Sequence, residues 1–136
     1  MKKVTAQWVR KAEADFALAR FVRNAKPPFY DSVCFHCQQS AEKYLKAILE
    51  ELGLTIPKTH ILVALLPLLV PHYHSLRALR RGVDFLTRFA VDARYPGDKA
   101  SKRQAASALR WAGDVRAACR TIVGIRPPRP RRRRSP

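Results

Sequence analysis

Gln39, Glu42, Lys43 and Lys46 lie three, four or seven residues apart, the spacing at which side chains share one face of a helix. Such a ridge offers an amide, a carboxylate and two ammonium groups, a set able to hold an anion or a nucleotide. A plainer reading fits the same spacing, because a Glu42 to Lys46 surface pair adds about 0.3 to 0.5 kcal/mol to a helix. His60 follows Thr59 where a helix is expected to begin. A neutral imidazole there can cap the helix, contact a phosphate, or serve structure alone. Arg94 and Tyr95 stand at the expected end of a later helix. A guanidinium beside an aromatic ring can grip a phosphate while the ring stacks on a base. Equally, Arg94 can stabilise the negative end of that helix while Tyr95 closes the core.

Cys34-Phe35-His36-Cys37 has the spacing of a zinc or redox pair. Zinc needs a second pair of ligands, and Cys119 and the His72-Tyr73-His74 run have no matching spacing; a redox pair of this type wants a preceding strand. Small buried cysteines on an apolar helix face explain the pattern. Three cysteines cannot all pair within one monomer, so reduced thiols are expected. No metal and no cofactor is implied.

The elements that must carry these residues are all helical. Trp8, Ala12, Phe16, Ala19 and Val22 fall three or four apart, an amphipathic stripe that Lys26-Pro27-Pro28 stops. A second helix, from about Tyr30 to Leu52, puts Cys34, Cys37, Ala41, Leu45, Ile48 and Leu52 on one face and ends at Gly53. Thr55 to Thr59 reads as a loop around Pro57. His60 opens a short apolar helix, Ile61 to Leu66, which Pro67 kinks or ends. Ser75 is placed to cap a fourth helix carrying Leu76, Leu79, Val83, Leu86 and Ala90, bounded by Tyr95-Pro96-Gly97. Ser101 and Gln104 form a capping-box pattern ahead of Ala105, Leu109, Ala112, Val115, Cys119 and Ile122. No alternating strand pattern occurs. Helices with one apolar face and short connections bury those faces best as an antiparallel bundle.

The 136 residues make one domain, large enough to bury roughly two thirds of the unfolded surface. Pro67, Pro71 and His72 interrupt the richest apolar stretch, well short of the roughly 20 residues of a membrane span. The N-terminus has two lysines but no apolar signal core, so a cytoplasmic location is expected. The formal charge is +17, and removing the six arginines of residues 126–136 leaves +11 on the other 125. A field of that sign attracts polyanions: nucleic acid, nucleotide or an acidic protein. Arginines outnumber lysines 18 to 9, a balance that coding bias alone can also produce. The tail, Arg126-Pro-Pro-Arg-Pro-Arg-Arg-Arg-Arg-Ser-Pro, is expected to be disordered or extended. It can lie along phosphates or against an acidic partner, or do nothing specific.

Several features in order resemble the HEPN domain family. They are Trp8 with Ala12 and Asp15; Gln38-Gln39-Ser40-Ala41-Glu42-Lys43-Tyr44-Leu45-Lys46; His60 before a Leu-rich helix; and Ala93-Arg94-Tyr95-Pro96. The resemblance spans roughly residues 5 to 124. It implies an up-and-down four-helix bundle with an extra short helix over residues 1–125, usually a homodimer. It also implies a partnership with a separately encoded minimal nucleotidyltransferase, as toxin and antitoxin or as substrate-binding component and enzyme. Some members bind nucleotides, and many are metal-independent ribonucleases with an arginine and a following histidine separated by four to six residues. This chain departs from that pattern, because none of His36, His60, His72 and His74 has an arginine at the required distance. The reading is therefore a protein that binds nucleotide or RNA in a basic groove made by Gln39, Lys43, Lys46, His60, Arg94 and Tyr95. As a ribonuclease it would use His60 as base and Arg94 as transition-state cation; a third reading is a purely structural docking bundle.

Overall fold

Six helical segments follow one another in the computed structural model, which describes residues 1–90 and 96–125. The first, α1, spans Lys3–Arg23, with Arg20 and Arg23 in its last turn where cations favour the negative helix end. Its most buried line is Thr5, Val9, Ala12 and Ala19, while Trp8, Phe16 and Val22 are only partly buried against the core. The expected stripe is thus turned slightly, so that small residues meet the neighbouring helix and the large rings lie at its flank.

The second helix, α2, spans Tyr30–Glu51 and is buried over most of its circumference, with polar Gln38, Ser40, Glu42 and Lys46 inside as well as Leu45, Ile48 and Leu49. Burial all round identifies α2 as the central helix. Each fully buried Leu or Ile there contributes about 1.5 to 3 kcal/mol. Gly53 follows with φ 70°, the left-handed geometry expected after the helix end.

Three polar ties set the direction of α1 against α2. The Thr5 hydroxyl donates to Glu51 at 3.1 Å, the Ser40 hydroxyl donates to the Ala12 carbonyl at 2.8 Å, and His36 meets Asp15 at 2.9 Å. Residue numbers rise on one helix as they fall on the other, so the pair is antiparallel.

The apolar helix α3 spans Leu62–Leu69, one residue later than its sequence start. Pro67 neither ends nor bounds it, since the ring sits on the exposed face and the Val70 amide still bonds the Leu66 carbonyl at 3.1 Å. The single continuous helix expected from Ser75 to Tyr95 is instead, among the described residues, a 3₁₀ segment, His74–Leu79, followed by α4, Arg80–Thr87. Ser75 makes no capping bond there. The apolar stripe itself is correct, with Leu76, Leu79, Val83 and Leu86 all buried. Gly82 lets α4 close on the last helix, because a Cβ there would lie 2.2 Å from Trp111 Cε3.

The last helix, α5, spans Lys102–Ile122 and has the expected capping box in both directions. The Gln104 amide donates to Ser101 Oγ at 3.0 Å, and the Ser101 amide donates to Gln104 Oε1 at 2.9 Å. Asp31 at the start of α2 accepts the Ala100 amide at 2.6 Å, just ahead of α5. Tyr44, farther along α2, joins Arg120, farther along α5, on the Glu13 carboxylate, so these two helices run parallel. With α1 opposed, the chain is an all-α, up-and-down four-helix bundle with α3 as the additional short helix, and no strand occurs among the described residues.

Candidate functional site

Polar clusters interrupt the apolar packing around α2. In the first, Glu13 of α1 accepts from Arg116 Nε through both oxygens, each at 3.0 Å, and also from Arg120 Nη1 and the Tyr44 hydroxyl. Burial acts to raise the Glu13 pKa, but the Tyr44 and Arg116 hydrogen bonds and the two guanidinium charges outweigh it and hold the carboxyl below its usual value. Burial and the Glu13 bond push the Tyr44 hydroxyl well above its usual range. Every group here faces another, so the cluster binds α1, α2 and α5 together.

The second cluster has an open end. Glu42 is 3% exposed and Lys46 7%, one turn apart on α2, with Nζ 3.3 Å from Glu42 Oε2. The other carboxylate oxygen lies 2.8 Å from His60 Nδ1. Gln38 Nε2 donates to the His60 carbonyl at 2.8 Å, and Gln39 Nε2 donates to Gln38 Oε1 at 2.7 Å. This chain of bonds fixes the loop ahead of α3 against α2, leaving the His60 side chain 68% exposed. With Nδ1 donating to Glu42, the ring keeps Nε2 as an acceptor. On the other side, Lys46 Nζ lies 5.9 Å from the centre of the Trp8 ring, within cation–π range. Trp8 lines a shallow hollow of about 220 Å³ with Val4, Gln7 and Lys11.

The structure therefore brings Gln39, Lys46 and His60 into one cluster and separates Lys43 from it. Lys43 is paired with Asp15 of α1, whose other oxygen takes His36. Its ammonium is committed between helices because Asp15 arrives from α1, a partner the ridge spacing along α2 does not reveal. Arg94 and Tyr95 lie outside the described residues, as does the expected tail 126–136. The spacing also gave no sign of what Gln38 and Trp8 do: one anchors the His60 backbone and the other packs beside Lys46. Their presence in the resemblance was the available signal.

The cysteines are deep in the core. Cys34, Cys37 and Cys119 are all wholly buried. Burial and the neighbouring Cys34 raise the Cys37 thiol far above its usual range, and burial pushes Cys119 up to about 12. Such thiols are protonated and unreactive at neutral pH. No helix among the described residues is long and apolar enough to cross a membrane.

Comparison with known proteins agrees with this architecture. The chain is similar to an archaeal HEPN homologue of known crystal structure, with a TM-score of 0.73 and 23% identity, over 90% of this chain and 99% of that one. At that identity the likeness concerns the fold. No protein of curated function matches in sequence. A family model described as the HEPN domain matches residues 5–122. Nearly the whole bundle falls within that match, and the chain belongs to the HEPN domain family.

Proposed function

We propose that this protein binds nucleotide or RNA, as a homodimer, and acts as toxin or substrate-binding partner of a separately encoded minimal nucleotidyltransferase. The observation that carries the binding role is the exposed His60 imidazole on the buried Glu42–Lys46 pair. Burying two charges costs several kcal/mol per ion in a protein. A surface histidine needs no such support, whereas one positioned against phosphate does. The +17 charge would draw a polyanion to the surface. Phosphate would meet the His60 imidazole, and Lys46 would act through Glu42 and Trp8 because its ammonium is already engaged. Arg94 and Tyr95 remain part of the proposed groove, as phosphate grip and stacking ring. Partnership with a nucleotidyltransferase rests on family membership.

A second reading has one observation in its favour. A carboxylate on His60 Nδ1 is the arrangement that orients an imidazole as a general base. In that reading His60 acts with Arg94 as a metal-independent ribonuclease. One titration separates the two: labelled structured RNA and a fluorescent ATP analogue are added to the full chain and to His60→Ala, with chelator throughout. Salt-sensitive binding without cleavage, weakened about tenfold in His60→Ala, is expected. Unchanged affinity in the variant would refute the site. Cleavage that disappears in the variant would establish the ribonuclease.

A further inference from the structure

Between α3 and α4 lies a hollow of about 760 Å³, lined by no residue of the Glu42–Lys46–His60 cluster. Its walls are two helical stripes. On α3 and its C-cap, Val63, Leu66, Pro67 and Val70 follow the i, i+3, i+4, i+7 spacing of one helix face. Opposite them, Arg77, Arg80, Arg81 and Asp84 repeat that spacing along the 3₁₀ segment and α4. Val63, Pro67 and all four charged residues are exposed. None of the four takes part in an ion pair among the described residues, although Glu13, Asp15, Glu42 and Glu51 all do.

We propose that this groove docks an amphipathic helix of an acidic protein partner. An apolar stripe beside a cationic stripe is the complement of a helix whose apolar face is flanked by carboxylates. The groove discriminates against other occupants. Arg77, Arg80 and Arg81 alone would also take phosphate, but the apolar wall facing them gives a sugar–phosphate backbone no surface to bury, and an amphipathic acidic helix engages both walls. A second copy of a chain with net charge +17, or the chain's own six-arginine tail, would bring cations against Arg77, Arg80 and Arg81. Asp84 at the end of the charged stripe sets the direction, since it repels a carboxylate there and accepts a lysine or arginine of the incoming helix.

The test uses the full chain and a fluorescein-labelled synthetic peptide of about four helical turns, with leucines at i, i+3, i+4 and i+7 and glutamates beside them. A scrambled peptide of the same composition lacks the apolar face, and a single-stranded RNA oligonucleotide serves as competitor. Anisotropy should show the amphipathic peptide binding at least about tenfold more tightly than the scrambled one. Val63→Glu and Arg80→Glu should each abolish that preference, and His60→Ala should leave it intact. Both substituted side chains are exposed, and thermal melts would verify folding. Equal affinity for the two peptides, binding to neither, an unchanged preference in both variants, or displacement by RNA lost in step with peptide binding would overturn the proposal. Loss of RNA binding in His60→Ala with the peptide preference retained keeps this groove distinct from the nucleotide site.

Discussion

The Glu13 and Glu42 clusters are built from the same materials, a carboxylate and two or three cationic or ionisable partners set among packed helices, yet they end differently. Glu13 gathers Tyr44, Arg116 and Arg120, so its hydrogen-bonding capacity is spent inside the bundle. Glu42 gathers Lys46 within its own helix and His60 from a loop, and the imidazole points outward. The first joins three helices. The second presents a ring. An ion pair between helices does not by itself mark a functional site; what distinguishes the two is how far the outermost group reaches into solvent, His60 being 68% exposed and Arg116 35%.

Substitutions can break that distinction, beginning with the largest effect. Lys46→Met leaves a carboxylate that is 3% exposed with only His60 as partner, and should cost about 3 kcal/mol in chemical denaturation. Combining it with Glu42→Gln should recover most of the loss, because no unpaired buried charge then remains. A double variant no more stable than Lys46→Met would contradict the pairing.

Glu13→Gln should cost about 2 kcal/mol, discounted for partial exposure of the cluster. It should also alter the acid limb of stability. The Glu13 carboxyl is held below its ordinary value of 4.5, so its contribution is complete above that pH and disappears as pH falls through the lowered folded value. The wild-type minus variant difference should therefore shrink as denaturation is measured from pH 5 downward, on the order of the unfolded titration range. A difference independent of pH would rule out the ionic role.

His60→Ala should change stability least, by about 1 kcal/mol, since removing the largely exposed ring lets water reach the Glu42 oxygen it leaves. It should nevertheless weaken nucleotide or RNA binding the most. Stability and binding are expected to rank these variants in different orders, and parallel losses would show that the clusters serve one purpose.

Much of this architecture was readable in the residues. The long helices follow from apolar spacing and punctuation: Pro27 and Pro28 after α1, Gly53 after α2, and Ser101 with Gln104 opening α5. The 3₁₀ segment was not readable, and the reason is geometric. Leu76 and Leu79 are three apart, which suits a 3₁₀ helix as well as an α-helix. Only the four-residue step from Leu79 to Val83 demands the wider turn, and α4 begins at Arg80. Of the two expectations at Pro67, a kink or an end, the end fails, because α3 tolerates the missing amide on its exposed side.

The candidate site was partly legible. Gln39 and Lys46 were recognisable from one helix, but Lys43 lies on the same ridge and is drawn away by Asp15, 28 residues distant in sequence. The bond from Gln38 to the His60 carbonyl is also long-range, and no local pattern encodes it. Arg94 and Tyr95, expected at the groove, lie outside the described residues.

The most direct test compares His60→Ala with Glu13→Gln in binding labelled structured RNA, under conditions where both variants are fully folded. The account predicts that His60→Ala weakens binding about tenfold while Glu13→Gln, despite its lower stability, binds as wild type does. Equal affinities across all three proteins, or a loss confined to Glu13→Gln, would contradict the assignment of the open cluster as the binding site.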